Sequence, residues 1–219
     1  MGTITRTFAN NITTSGVFKP TAFNNASFDN VTSVPSGAVE GGNMVLLSTQ
    51  TASSSASISF TTGITSTYKE YMFIFNNIHP STDNTNFTFN MSTDGGSNYN
   101  VTKTSTFFSS YHNEADNDTQ LNYETGLDLA QSTAYNVIGN SIGNGSDESL
   151  SGALQIFNPS STTYVKHYLS NVNLYLSADY SWNAFMAGYG NTTSAINAID
   201  FKMSSGNIDA GTIQMFGIL

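Results

Sequence analysis

The 219 residues include no cysteine, which rules out a disulfide framework, a thiol nucleophile and a thiolate metal site. Charge is almost as scarce, with Asp, Glu, Lys and Arg at 10 % against ~25 % in an ordinary soluble domain. Asn, Ser, Thr, Gly and Tyr take the surface role that Lys and Glu usually fill, giving a neutral, hydrogen-bonding exterior. The six basic residues Arg6, Lys19, Lys69, Lys103, Lys166 and Lys202 lie far apart and are outnumbered by fifteen acidic ones, for a formal charge of -9. No basic patch to neutralise phosphates can be read, so nucleic acid is not an expected partner. No apolar run approaches the ~18 residues of a membrane span. Residues 1–6 lack the basic start and apolar stretch of a secretory signal, and Arg6 stands where a myristoylation pattern wants Ser or Thr. A membrane is not expected either.

Good helix formers are nowhere grouped. From residue 44 onward the sequence instead reads as short β-rich runs separated by Gly, Asn, Asp and Ser. The predicted strands are 44–49, 56–61, 70–78, 86–93, 99–110, 134–142, 150–157, 164–176, 183–191, 196–204 and 211–219. A helical turn is allowed only within 122–131. The pattern predicts an all-β fold, an antiparallel β-sandwich of jelly-roll type over 43–219. Phe87, Phe89 and Met91 alternate onto one face, as do Ile199, Phe201 and Met203, with Asp200, Lys202 and Ser204 opposite, which predicts half-buried strands. Tyr71-Met72-Phe73-Ile74-Phe75 is apolar on both faces, so its outer side is expected to be covered, and Tyr71, Phe73 and Phe75 become interface candidates. The run Thr93-Asp94-Gly95-Gly96-Ser97 predicts a hairpin between its flanking strands.

Residues 1–42 are rich in Thr, Asn, Ser and Gly and poor in apolar residues that could offset the entropy of ordering a backbone, about 1 to 2 kcal/mol per residue. Their apolar residues are isolated beads, among them Ile4, Phe8, Phe18, Phe23 and Phe28, interrupted by Pro20 and Pro35. This spacing has neither helical nor strand period and suits an extended arm pegged into another surface: the chain's own body, a sister subunit or a different protein. Those five residues are the anchoring candidates.

Sites for chemistry are few. His79, His112 and His167 come without a Gly-x-Ser-x-Gly elbow or other nucleophile signature, so no enzyme is expected. His112, Glu114, Asp116 and Asp118 are spaced by two and could suit a hard cation, but the run lacks the turn Gly and terminal Glu of a calcium loop and reads as a solvated polar loop. No metal or other cofactor is expected. Tyr99, Tyr180 and Trp182 lie in or near turn-like stretches where rings could stack on sugars, with packing the competing role for Trp182.

Four segments carry a resemblance: residues 4–17 (ITRTFANNITTSGV), 25–32 (NASFDNVT), 47–55 (LSTQTASSS) and 211–218 (GTIQMFGI). Together they resemble the small, fibre-like or decoration-type virion structural proteins of tailed phages of marine bacteria. The resemblance implies a β-sandwich, assembled in the host cell cytoplasm and displayed on the virion surface as head decoration, head fibre or tail fibre. It further implies a homo-oligomer, a trimer in form, held to other capsid or tail proteins. A receptor-binding adhesin for host surface glycans is the alternative.

Overall fold

The computed structural model describes residues Met44–Leu219, and the anchoring candidates Ile4, Phe8, Phe18, Phe23 and Phe28 lie outside them. Twelve strands follow one another: β1 (Met44–Thr51), β2 (Ile58–Phe60), β3 (Glu70–Pro80), β4 (Thr85–Ser92), β5 (Lys103–Asn113), β6 (Thr119–Tyr123), β7 (Asn136–Ile142), β8 (Leu150–Phe157), β9 (Lys166–Leu176), β10 (Tyr180–Gly190), β11 (Ala198–Met203) and β12 (Ile208–Ile218). All pairings are antiparallel, and no helix occurs among the described residues.

The hydrogen-bonded order runs β1-β12-β3-β8-β9-β7-β4-β11-β2, and a branch from β9 adds β10, β5 and β6. The strands thus form one nearly closed sheet whose inner face is filled with aromatic rings. The hub is Phe201 of β11. Its ring lies within 5.3–6.2 Å of Phe60, Phe73, Phe75 and Phe87, edge-on to Phe60 and Phe75, tilted to Phe73 and stacked on Phe87. Phe89 meets Tyr168 edge-on at 5.1 Å, which ties β4 to β9 across the interior.

Four expectations need correction. Strand β6 is absent from the sequence reading because Thr-Gln-Leu-Asn-Tyr has neither an apolar run nor a buried face; pairing with β5 makes it a strand. The helical turn allowed over 122–131 does not form. There the chain leaves β6 in turns, with the Glu124 N–H donating to the Phe107 carbonyl and the Leu127 N–H to that of Glu124.

The Asp94-Gly95-Gly96 turn exists, with both glycines at positive φ and the Ser92 hydroxyl accepting the Asp94 and Gly96 N–H groups. It does not close a hairpin, because β4 pairs β7 and β11 while β5 leaves to pair β10 and β6. Turn residues fix a local reversal, and the partner of each strand is settled by long-range packing.

Strand β4 and the start of β11 are covered on both faces rather than half buried: Thr88, Asn90, Ser92 and Asp200 are buried opposite the aromatic side, whereas Lys202 is half-buried and Ser204 exposed, as expected. The covering chain is the β4–β5 connection and the segment before β7, whose Tyr99 and Thr133 carbonyls accept the Asn90 amide N–H groups. A polar residue on a strand reads as solvent-facing until something else satisfies its hydrogen bonds.

Candidate assembly surface

Tyr71, Phe73 and Phe75 are buried in the chain's own core, and the Tyr71 hydroxyl is tied to Thr65, accepting its N–H and donating to its carbonyl. The apolar residues that β3 turns to the other face are Met72 and Ile74, both half-buried. Register then shows what accompanies them. One row across the sheet reads Tyr123, Phe108, Phe185, Asn171, Ala153, Ile74, Gln214 and Thr49. The next reads Thr106, Ala187, Leu169, Gln155, Met72, Phe216 and Leu46; a third reads Thr104, Tyr189 and His167 on one side and Phe157, Glu70, Ile218 and Met44 on the other, one position past the last β8–β9 pair, with His167 and Phe157 lining one hollow.

These rows form the outer face of eight adjacent strands, β6-β5-β10-β9-β8-β3-β12-β1. They hold most of the large apolar side chains that the described residues expose: Leu169 and Leu46 at 51 %, Phe108 at 41 %, Tyr123 at 53 % and Met44 at 40 %, with Leu121 of β6 beside them at 70 %. Glu70 is the one carboxylate in the three rows, its oxygen accepting the Gln155 amide at 2.6 Å, and no Lys, Arg or Asp stands there. Phe108 and Phe185 stack at 4.8 Å and an 8° angle. Two apolar hollows flank Leu169, of about 360 Å³ beside Phe108 and Phe185 and about 410 Å³ beside Phe157 and Tyr189. Isolated exposed apolar residues are normal, but a contiguous face of them marks an interaction surface.

Charge is placed inside instead. Lys103 and Lys166 are fully buried. The Lys103 Nζ donates to Asn90 Oδ1 at 2.5 Å and the Val101 carbonyl at 2.7 Å, and burial pulls its pKa down to about 7. The Lys166 Nζ donates to the carbonyls of Tyr164 and Thr192, and burial lowers its pKa as well. Across β11, Asp200 accepts from the hydroxyls of Ser59 at 2.5 Å and Tyr135 at 2.9 Å. Burial first, then the hydrogen bond to Asp200, pushes the Tyr135 phenol upward, and Lys202 lies 4.0 Å over the Tyr135 ring. The sequence signal for this layer was only a polar residue every second position in β4 and β11.

The glycan candidates are not brought together. Tyr99 sits in the β4–β5 connection near the start of β5, whereas Tyr180 and Trp182 of β10 face the far end of β5. Trp182 stacks on Tyr111 at 4.7 Å and packs against the core, and its buried indole N–H has no acceptor among the described residues. Tyr180 meets Tyr111 edge-on at 5.5 Å, and its hydroxyl donates to Asp118 at 2.9 Å. A cleft of about 450 Å³ opens beside Tyr180, lined also by His112, Glu114, Asn173 and Tyr175. The Tyr175 hydroxyl is directed at the carboxylates of Glu114 and Asp179, which push its pKa up to about 12.

His112 of the polar run contacts Asp116 at 3.0 Å, while Glu114 and Asp118 serve the two tyrosines. Among the described residues no group of three His, Asp or Glu is placed to hold a metal ion. His79 contacts the Glu148 carbonyl at 2.7 Å, and His167 lies on the outer face beside Tyr189. No helix among the described residues is long and apolar enough to cross a membrane. No known protein family, curated protein or solved structure matches the chain.

Proposed function

We propose that this chain is a non-enzymatic structural protein of a phage particle, a jelly-roll-like β-sandwich carried on the virion as head decoration, head fibre or tail fibre. The observation that carries the assembly role is the wide, nearly uncharged outer face described above: on an isolated body it would leave large apolar side chains in water, and packing against protein would bury them at about 25 cal/mol per Å² before association costs. The virion setting rests on the resemblance of residues 4–17, 25–32, 47–55 and 211–218. In this reading residues 1–42 anchor the chain to capsid or tail proteins, and the body forms a homo-oligomer, a trimer by the same resemblance.

The test is incorporation. Full-length chain is expected in purified particles, and a chain lacking residues 1–42 is expected to keep its β circular-dichroism signal and be absent from them. Normal incorporation of the shortened chain would refute the anchor, and absence of the full chain from particles would refute the virion role.

A second reading, an adhesin for host glycans, is favoured by the cleft beside Tyr180, where a ring edge, Asn173 and carboxylates could meet sugar hydroxyls. Binding on a glycan array that is lost in Tyr180→Ala would support it. Binding unchanged by that substitution would remove this cleft from consideration.

A further inference from the structure

Resting on the assembly reading above, though on a two-fold contact in place of the trimer that the resemblance implies, we propose that the outer face of β6-β5-β10-β9-β8-β3-β12-β1 is occupied by a second copy of this chain, with a two-fold axis passing beside Leu169. Three observations select that occupant. The first is charge. The chain carries -9, so two copies repel wherever their acidic surfaces meet. On this face Glu70 is the sole carboxylate of the three rows, at their margin and engaged by Gln155, so copies apposed around Leu169 bring no like charges together. A basic partner, by contrast, would find nothing here to pair with.

The second is shape. Leu169 stands out between two apolar hollows that it helps to line. Knob and hole therefore lie within one patch, which is the property a symmetric contact requires, because each copy must offer both halves of the fit. An axis beside Leu169 carries the leucine of one copy toward a hollow of the next.

The third is size. Eight strands spaced about 4.8 Å span about 35–40 Å, and three rows with their side chains cover about 20 Å along the strands. The product, about 700–800 Å², is close to what each partner contributes to an interface of standard size.

The experiment uses the full-length chain. Sedimentation equilibrium is expected to give at least twice the monomer mass of 23.5 kDa. Leu169→Lys should raise the dissociation constant about a hundredfold by placing an ammonium in the contact, with circular dichroism unchanged and any fall in urea midpoint confined to concentrations at which the unsubstituted chain is assembled. Thr93→Lys, in the exposed β4–β5 turn, should leave the mass as it was. Because the chain has no cysteine, Leu169→Cys supplies a single thiol, and mild oxidation should convert the assembly to covalent pairs. A monomer at every concentration would overturn the proposal, whether the face proves to be covered by residues 1–43 or by a foreign protein. An oligomer that survives Leu169→Lys and yields no pairs from Leu169→Cys would overturn it too. The two proposals fail separately: a monomer that still enters particles removes the second copy alone, and an oligomer absent from particles removes the virion role alone.

Discussion

Replacing Lys103 by Met should flatten the dependence of stability on pH above neutrality. Lys103 is fully buried, and among the described residues its ammonium has Asn90 Oδ1 and the Val101 carbonyl for partners and no carboxylate in contact. Burial therefore lowers its pKa from 10.5 to about 7. In the unfolded chain the amine stays protonated to about 10.4. Between these values the unfolded state binds the extra proton, so raising the pH favours the folded state; below 7 both states are charged and the penalty of burial is present in full. Integrating one proton from about pH 7 to about pH 9.5 gives the wild-type chain about 3 kcal/mol that Lys103→Met does not gain. Lys166 shifts in the same direction, but it is common to both proteins and cancels in the difference. Urea unfolding at a series of pH values measures that difference directly. Parallel stability curves for wild type and variant would refute the assignment of a buried, readily neutralised amine.

The core hub gives a second expectation: Phe201→Ala removes a ring in contact with four others and should cost about 3–5 kcal/mol in urea unfolding. Gly152 of β8 has φ +152° and faces the Asn171 carbonyl where a Cβ would stand, so Gly152→Ala should lower stability by more than about 1 kcal/mol in urea unfolding. Hydrogen bonds from the Ser92 hydroxyl, then from Asn98, hold the Asp94 carboxyl down at about 2. Its contribution is in place above the ordinary carboxylate value of 3.8 and fades only as pH falls toward 2, and an NMR titration of Asp94 should show Ser92→Ala moving the midpoint upward.

Strand existence was legible wherever apolar residues alternated or ran together, as in β3, β8, β9 and β11, because those side chains have one place to go. Strand partnership was not, since β5 takes β10 and β6 rather than β4, with the β10 partners 67 to 87 residues away in sequence. β6 escaped notice because its pairing, not its composition, makes it a strand. The outer face was half legible. Two-sided apolarity in 71–75 pointed to a covered surface, but parity assigned the wrong members: Tyr71, Phe73 and Phe75 are core, and Met72 and Ile74 face out. The remaining residues of that face, such as Leu169, Phe185 and Phe216, come from seven other strands and meet only through register, which no local window contains.

The placement of charge gives the assembly argument its physical basis. Of the four lysines among the described residues, Lys103 and Lys166 are inside, while Leu46, Phe108, Leu121 and Leu169 are outside. A monomeric body gains from the reverse arrangement, since burying an ammonium without a counter-ion is unfavourable and exposing a leucine forgoes its transfer energy. Interior lysines can be accommodated by neutral acceptors, as the carbonyl oxygens around each Nζ show. No comparable compensation exists for a water-facing leucine except another apolar surface, and so the outer face, rather than the buried amines, is the surface that the proposed assembly would cover.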